Sequence, residues 1–165
     1  MAAGTVHVTF VCTGNICRSP MGEVILTGLV ERAGLADRVR ITSSGTGGWH
    51  VGNPADPRTI DVLEQHGYDG TTHRARQFER RTFDEVDLVL AADRGHVRTL
   101  HQLAHTDVDR AKIHLVREFD PAAVAAGTLE TDDPWYGGEA EFARCFREVE
   151  AACRGILARL EERLG

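Results

Sequence analysis

The sequence predicts an α/β fold, in which a four-stranded, parallel, doubly wound sheet carries helices on both faces. Segments with the pattern of strands alternate with segments of helical period along the chain, and this alternation is typical of parallel sheets. The run at 87–92 is almost entirely apolar, as expected of a strand buried on both faces. The chain has 165 residues, 42% hydrophobic and 27% charged, so residues 1–165 are expected to form a single domain.

The first strand is predicted at 5–11, where β-branched residues alternate with others. Ser19 is the expected N-cap of the first helix, with Pro20 at its first position and Gly34 as its stop. Residues 118–136 are expected to be mostly loop. Further strands are predicted at 39–43, 87–92 and 112–116, and further helices at 58–66, at 94–105 and along the apolar positions from Phe142 to Leu164.

The charge balance argues against several classes of partner. Lys and Arg number 19 against 25 Asp and Glu, a net charge of −6, so no basic surplus is available for nucleic acid or an anionic membrane. No apolar run approaches the roughly 18 residues of a membrane span, and residues 1–5 lack the pattern of a signal peptide. A cytoplasmic protein is therefore expected. Lys112 is the only lysine, a bias typical of a GC-rich bacterial genome.

The segment between the first strand and the first helix, CTGNICRS from Cys12 to Ser19, carries the predicted chemistry. Such a turn points successive backbone N–H groups at one anion, and the helix N-terminus adds partial positive charge. Arg18 offers a planar fork that matches phosphate oxygens, while Gly14 and Asn15 tolerate the tight backbone. The same field is expected to stabilise the Cys12 thiolate as a nucleophile, to which Ser19 donates its hydroxyl.

A mechanism through phosphocysteine also needs an acid that protonates the leaving oxygen. Asp133, followed by Pro134 in the long loop before the final helix, is the candidate at the same edge of the sheet. The aromatic residues Trp135 and Tyr136 are expected to wall a slot for an aryl ring, with Trp49 as a third wall. The plainer interpretation makes Asp133 and Pro134 a turn that starts the last helix, and Trp49 a core residue.

Together these residues resemble the low molecular weight protein tyrosine phosphatase family. The segment FVCTGNICRSPM at 10–21 resembles the family's phosphate-binding loop nearly residue for residue, and DPWYG at 133–137 resembles its general-acid loop. Trp135 stands where the family more often has Tyr or Phe. Gly22 replaces a small helix former such as Ala, which is expected to cost stability but no chemistry. Further similar segments are Ser44-Gly45-Thr46, Trp49, Val51-Gly52, His73-Arg74-Ala75-Arg76 and Asp93.

The resemblance implies hydrolysis of phosphotyrosine in proteins through a phosphocysteine, with no metal and no other cofactor. Cys12 would be the nucleophile, Arg18 would bind the phosphate and the transition state, and Asp133 would act as acid and then base. Expected partners are tyrosine-phosphorylated proteins, and phosphate or other oxyanions in the loop. The implied substrate-binding residues are Thr13, Gly14, Asn15, Ile16, Cys17, Ser19, Trp49, Trp135 and Tyr136; Asn15, Ser44 and His73 would hold the loop by hydrogen bonds.

Two other functions are weighed against this one. An arsenate reductase on the same fold would relay oxidation through further cysteines, but none lies between Arg18 and Cys145. A phosphotyrosine-binding module without turnover would not need the nucleophile Cys12. Cys145 and Cys153 fall on the apolar face of the last helix and are predicted to be core residues. Cys17 is either a small buried filler or a redox partner of Cys12.

Overall fold

The computed structural model describes residues 5–165 and contains one four-stranded sheet in which every pairing is parallel. The strands lie in the order β2-β1-β3-β4, which confirms the predicted fold class. Because the order reverses between β1 and β3, ligands are expected in the crevice outside the carboxyl ends of these two strands. The strands are β1 (Val6–Cys12), β2 (Val39–Gly45), β3 (Leu88–Ala91) and β4 (Ile113–Leu115).

Helices cover both faces of the sheet. Each face of the sheet has its own hydrophobic core, and alternate residues of β1 point into different cores. Val8 and Phe10 pack with α1 and α7, whereas Val11 packs with α4. Cys145 and Cys153 are buried in the first core, as predicted. No helix within residues 5–165 is long and apolar enough to cross a bilayer. The helices are α1 (Arg18–Arg32), α2 (Pro57–Gln65), α3 (Thr82–Glu85), α4 (Arg94–Leu103), α5 (Asp107–Arg110), α6 (Pro121–Ala126) and α7 (Glu139–Leu164), with 3₁₀ turns at Val116–Phe119 and Pro134–Tyr136.

Most predicted elements are confirmed with ends that differ by one or two residues, but the start of the first helix and the loop at 118–136 are wrong in kind. Helix α1 begins at Arg18 rather than after Ser19, because the Ser19 hydroxyl contacts the sulfur of Cys12 instead of capping the helix. The stretch predicted as mostly loop contains α6, which is capped by the side chain of Asp120 and ends before Gly127. Its sequence, PAAVAA, has no apolar period to indicate a helix, although both ends carry ordinary capping signals.

Gly22 in α1 lies against β1. A Cβ atom at this position would clash with the buried ring of Phe10. The glycine therefore lets α1 approach the sheet closely. Glycine is expected to lower the stability of the helix, but alanine at this position would disrupt the packing of α1 against β1.

Candidate active site

The loop that follows β1, hereafter the phosphate loop (residues 12–18), is shaped around Asn15. This residue has a left-handed backbone, with φ of 59°. Its Oδ1 accepts a hydrogen bond from the N–H of Arg76 at 2.9 Å, and its Nδ2 donates to Ser19 Oγ at 2.8 Å and Ser43 Oγ at 3.0 Å. Asn is one of the few residues that tolerate this backbone, and here its side chain also ties the loop to β2.

The neighbouring strand closes the loop from one side. Gly45 ends β2 directly opposite Cys12, and the carbonyls of Cys12 and Thr13 accept hydrogen bonds from the N–H groups of Thr46 and Gly47. A Cβ atom at Gly45 would lie 2.5 Å from the Thr13 carbonyl oxygen. Only glycine allows the strand end and the phosphate loop to pack this closely.

His73 and Ser44, which the resemblance implied as supports of the loop, make different contacts with it. His73 Nε2 donates to the Asn15 carbonyl at 2.7 Å. Burial lowers the pKa of His73, so the ring is neutral with its proton on Nε2. The Ser44 hydroxyl has no hydrogen-bond partner within residues 5–165, and the hydroxyl that accepts from Asn15 belongs to Ser43. Ser44 contributes its carbonyl, which lies 3.3 Å from Ser19 Oγ and is the more distant of two alternative acceptors for that hydroxyl, the other being the sulfur of Cys12 at 2.9 Å.

Cys12 places its sulfur at the floor of a cavity of about 240 Å³. The sulfur lies 2.9 Å from Ser19 Oγ and accepts from the Ser19 N–H at 3.4 Å. Because Asn15 Nδ2 donates to Ser19 Oγ, the hydroxyl is free to give its own proton to a neighbouring acceptor, and a thiolate is such an acceptor. The arrangement suits a sulfur that carries negative charge.

Arg18 lies at the other side of the same floor and is only 4% exposed. Its Nη1 donates to Asp93 Oδ2 at 2.9 Å and to the Thr131 carbonyl at 2.8 Å, while Nη2 lies 3.7 Å from Asp133 Oδ2. Burial lowers the pKa of Arg18, but Cys12, Asp133 and Asp93 outweigh it and the net shift is upward. The side chain is thus a fixed cation that connects the phosphate loop, to which Arg18 belongs, with the loop of Asp133.

Asp93 and His96 form a second support, and sequence analysis did not single out His96. Asp93 caps α4 and accepts from the His96 N–H, and His96 Nδ1 accepts from the Asp93 N–H, both at 3.2 Å. His96 Nε2 then donates to Thr13 Oγ1 at 2.8 Å. Burial lowers the pKa of His96 to about 4, so the ring is neutral. The reciprocal capping pattern directly after β3 is the signal that would have identified this histidine.

Asp133 lies across the cavity from the phosphate loop. Its Oδ1 accepts from the Trp135 N–H at 3.1 Å, which makes it the cap of a short 3₁₀ turn. Asp133 therefore lies where an acid is expected and also caps a turn, so the two interpretations of its sequence are compatible. The turn precedes α7 and does not start it. The carboxylate is exposed and lines the cavity, where a leaving group would depart.

Aromatic side chains surround the mouth of the cavity. Trp49 is 75% exposed, Trp135 41% and Tyr136 90%, so the interpretation of Trp49 as a core residue is wrong. His50, which sequence analysis missed, stands 6.2 Å from Trp135 between ring centroids. Asn15 and Ser19, which the resemblance implied as substrate-binding residues, are buried and do not line the cavity. The cavity is lined by Cys12, Thr13, Gly14, Ile16, Cys17, Arg18, Trp49, His50, Asp133, Trp135 and Tyr136.

The remaining cysteines are free thiols. Burial raises the pKa of Cys17 to about 12, with Asp56 and Cys12 adding to the shift. Cys17 therefore rests as a neutral thiol in the wall of the cavity, compatible with either predicted role. Within residues 5–165, no three His, Cys, Asp or Glu side chains are grouped so as to hold a metal ion.

Arg58 is a further residue that sequence analysis missed. It pairs with Asp56, and its Nη1 donates to the carbonyls of Trp135 and Gly137 at 3.2 and 3.3 Å. Its guanidinium carbon lies 5.4 Å from the centroid of the Trp135 ring. Nothing in the local sequence around Arg58 predicts these contacts, because their partners lie more than seventy residues away.

Comparisons with known proteins point to one family. Residues 7–164 match the family described as low molecular weight phosphotyrosine protein phosphatase. A low molecular weight protein-tyrosine-phosphatase of Streptomyces coelicolor is 53% identical over 160 residues, covering 97% of this chain and 96% of its own. Low molecular weight protein-tyrosine phosphatase A of Mycobacterium tuberculosis is 46% identical over 158 residues, covering 96% and 93%.

Solved structures similar to this chain include phosphatases as well. A protein tyrosine phosphatase from Entamoeba histolytica, with Hepes in its active site, superposes with a TM-score of 0.89 at 30% identity. The match covers 96% of this chain and 98% of that one. A Vibrio vulnificus protein in complex with benzylphosphonate gives a TM-score of 0.79 at 25% identity, over 96% of this chain and 99% of the other.

Proposed function

The chain belongs to the low molecular weight phosphotyrosine protein phosphatase family and hydrolyses phosphotyrosine, and we propose that Cys12, Arg18 and Asp133 carry the reaction. One observation carries this assignment. The sulfur of Cys12, the guanidinium of Arg18 and the carboxylate of Asp133 line a single cavity at the carboxyl end of β1. Nucleophile, cation and acid thus face the same small volume.

In the first step, the Cys12 thiolate attacks phosphorus and forms an S–P bond while the bond to the phenolic oxygen breaks. Asp133 gives its proton to that departing oxygen. Arg18 and the backbone N–H groups of the phosphate loop bind the non-bridging oxygens, where negative charge is spread in the transition state. The Ser19 hydroxyl stabilises the thiolate before attack, at the 2.9 Å separation observed.

In the second step, water attacks the phosphocysteine. Asp133, now a carboxylate, takes the proton of that water as the S–P bond breaks and Cys12 leaves as a thiolate. Ser19 again donates to the sulfur, and Arg18 holds the phosphate that is formed. The same residues therefore serve both steps, and the enzyme returns to its starting state when phosphate dissociates.

The substrates we propose are tyrosine-phosphorylated proteins. Trp49, Trp135 and Tyr136 stand around the cavity, where they offer apolar walls to the ring of phosphotyrosine. Benzylphosphonate in the Vibrio vulnificus structure joins an aromatic ring to an oxyanion and supports the same arrangement here. We further propose that residues 1–165 act as one catalytic domain in the reducing cytoplasm, where Cys12 stays reduced.

Substitutions of the nucleophile and the acid test the proposal. Cys12→Ser is expected to abolish turnover while phosphate still binds, because the loop remains. Full activity in Cys12→Ser would contradict the proposal, and trapping a phosphocysteine in the wild-type protein would exclude a binding module without turnover. Asp133→Ala is expected to lower kcat/KM for phenyl phosphate by about 10²-fold, and less for p-nitrophenyl phosphate, whose leaving group needs little protonation.

Asp132→Ala is the matched control for the acid. Asp132 is the adjacent exposed carboxylate, 3.5 Å from Arg144, and does not line the cavity. Its loss is expected to leave both rates unchanged. An Asp133→Ala variant that hydrolyses both substrates at the wild-type rate would remove Asp133 from the acid role.

A further inference from the structure

We infer that Asp56 and Arg58 form a bridge that positions the acid loop (residues 130–137) over the phosphate loop. Arg58 is then a positioning residue for the proton transfers of Asp133, with no contact to the reacting atoms. The inference rests on the proposed role of Asp133 and concerns a residue outside the catalytic group.

The bridge begins at the phosphate loop. The Asp56 N–H donates to the carbonyl of Ile16 at 2.8 Å, and the Asp56 side chain is buried. Asp56 Oδ1 accepts from Arg58 Nε and Oδ2 accepts from Arg58 Nη2, both at 3.0 Å. A two-point pairing of this kind fixes the plane of the guanidinium as well as its position.

The bridge ends at the acid loop. The Nη1 atom left over from the pairing donates to the carbonyls of Trp135, which lies in the 3₁₀ turn that Asp133 caps, and of Gly137, which ends that turn. The guanidinium also lies 4.5 Å from the ring centroid of Phe142, a buried residue of α7. The pair of Asp56 and Arg58 thus links the phosphate loop, the acid loop and the core at Phe142.

Asp133 needs such a support because its own contacts are few. Its carboxylate is exposed, its one hydrogen bond within residues 5–165 is the local one from the Trp135 N–H, and its ion pair with Arg18 is long, at 3.7 Å. A local turn fixes the shape of the acid loop but not its distance from Cys12, and Arg18 ties only the start of that loop, at the Thr131 carbonyl. Since a misplacement of about 1 Å can cost about 10²-fold in rate, the register between the two loops matters for proton transfer.

Arg58→Gln and Arg58→Lys test the bridge. Both are expected to lower kcat/KM for phenyl phosphate about tenfold, and that for p-nitrophenyl phosphate less than twofold. Lys keeps a cation near Trp135 but cannot pair with Asp56 at two points and hold two carbonyls at once. In the Asp133→Ala background, Arg58→Gln is expected to cause no further loss. Inhibition by inorganic phosphate is expected to stay at its wild-type strength, because the phosphate loop is unchanged.

Arg154→Gln is the matched control, since Arg154 is an exposed arginine paired with Glu150 at 3.7 Å on α7. Its rates are expected to equal the wild-type rates. An equal fall for both substrates, full additivity with Asp133→Ala, or weaker inhibition by phosphate would each overturn the bridge. If Asp133→Ala itself leaves phenyl phosphate hydrolysis unchanged, the proposed acid is wrong, and that outcome is read from a variant in which Arg58 is intact.

Discussion

The phosphate loop and the acid loop face each other across one cavity but are held in opposite ways. Asn15, Cys17 and Arg18 are buried, and hydrogen bonds reach the phosphate loop from β2, from His73 and from His96. In the acid loop only Thr131 and Pro134 are buried, and arginines hold its ends. The contrast teaches that the anion site is rigid by construction, whereas the acid is placed by a few long side chains.

Arg18 touches both loops, so its substitution should have the largest effect. Arg18→Lys loses the planar fork for phosphate and the paired contacts with Asp93 and Thr131. We expect kcat for p-nitrophenyl phosphate to fall about 10³-fold. A loss of less than tenfold, measured with the thermal stability of the variant as a check on folding, would show that the backbone alone binds the transition state.

Substitutions of Asn15 test how strongly its side chain and backbone stabilise the phosphate loop. Asn15→Ala removes three buried hydrogen bonds and strains the left-handed backbone, so the free energy of unfolding should drop by about 3 kcal/mol. Asn15→Gly relieves the backbone strain and should recover about 1 kcal/mol of this loss. Urea denaturation of the two variants gives both values. Equal stabilities would mean that only the hydrogen bonds matter.

The neutral His96 makes the phosphate loop sensitive to acid. Its pKa in the folded protein is about 4, below the ordinary value of 6.5, so the unfolded chain binds the proton more tightly. Its contribution to stability is complete above pH 6.5 and is lost as the pH falls towards 4. Denaturation at pH 7 and pH 4.5 should show about 2 kcal/mol of extra acid destabilisation compared with His96→Gln, and identical pH profiles would contradict this assignment.

Arg117 is expected to hold the other end of the acid loop. Its buried side chain donates to the Glu130 carbonyl at 3.0 Å and lies 3.5 Å from Glu148. Arg117→Met should lower kcat/KM for phenyl phosphate about tenfold and affect p-nitrophenyl phosphate less, as for Arg58. Glu148 keeps its contact with Arg144, which limits the loss of stability. Equal losses with both substrates would place Arg117 among purely structural residues.

Two adjacent serines should give the smallest and most direct test. Ser43→Ala removes the hydroxyl that accepts from Asn15 and should cost about 1 kcal/mol in unfolding free energy. Ser44→Ala removes a buried hydroxyl without a hydrogen-bond partner and should change stability by less than about 0.5 kcal/mol. The reverse ranking would restore Ser44 to the role that the family resemblance implied.

The parts that the sequence predicts are those with local signals. β1, the phosphate loop and α7 carry strand alternation, a turn motif and a helical period within their own residues. The short α3, α5 and α6 were missed because too few residues establish a period. Arg58 and Arg117 were missed for a different reason: the carbonyls that they bind in the acid loop are brought to them by the packing of distant segments. His96 does carry a local signal, its capping of α4 with Asp93, but its contact with Thr13 is also set by packing.

The close approach of Gly45 to the phosphate loop bears on whether such a site can be moved to another protein. A transplanted loop of residues 12–18 would carry its nucleophile and its cation with it. It would still collide with any side chain on the strand beside it, because a Cβ opposite Cys12 meets the Thr13 carbonyl. The portable unit is therefore a pair of strand ends, one bearing cysteine and the other glycine, and a graft into a new parallel sheet must supply both.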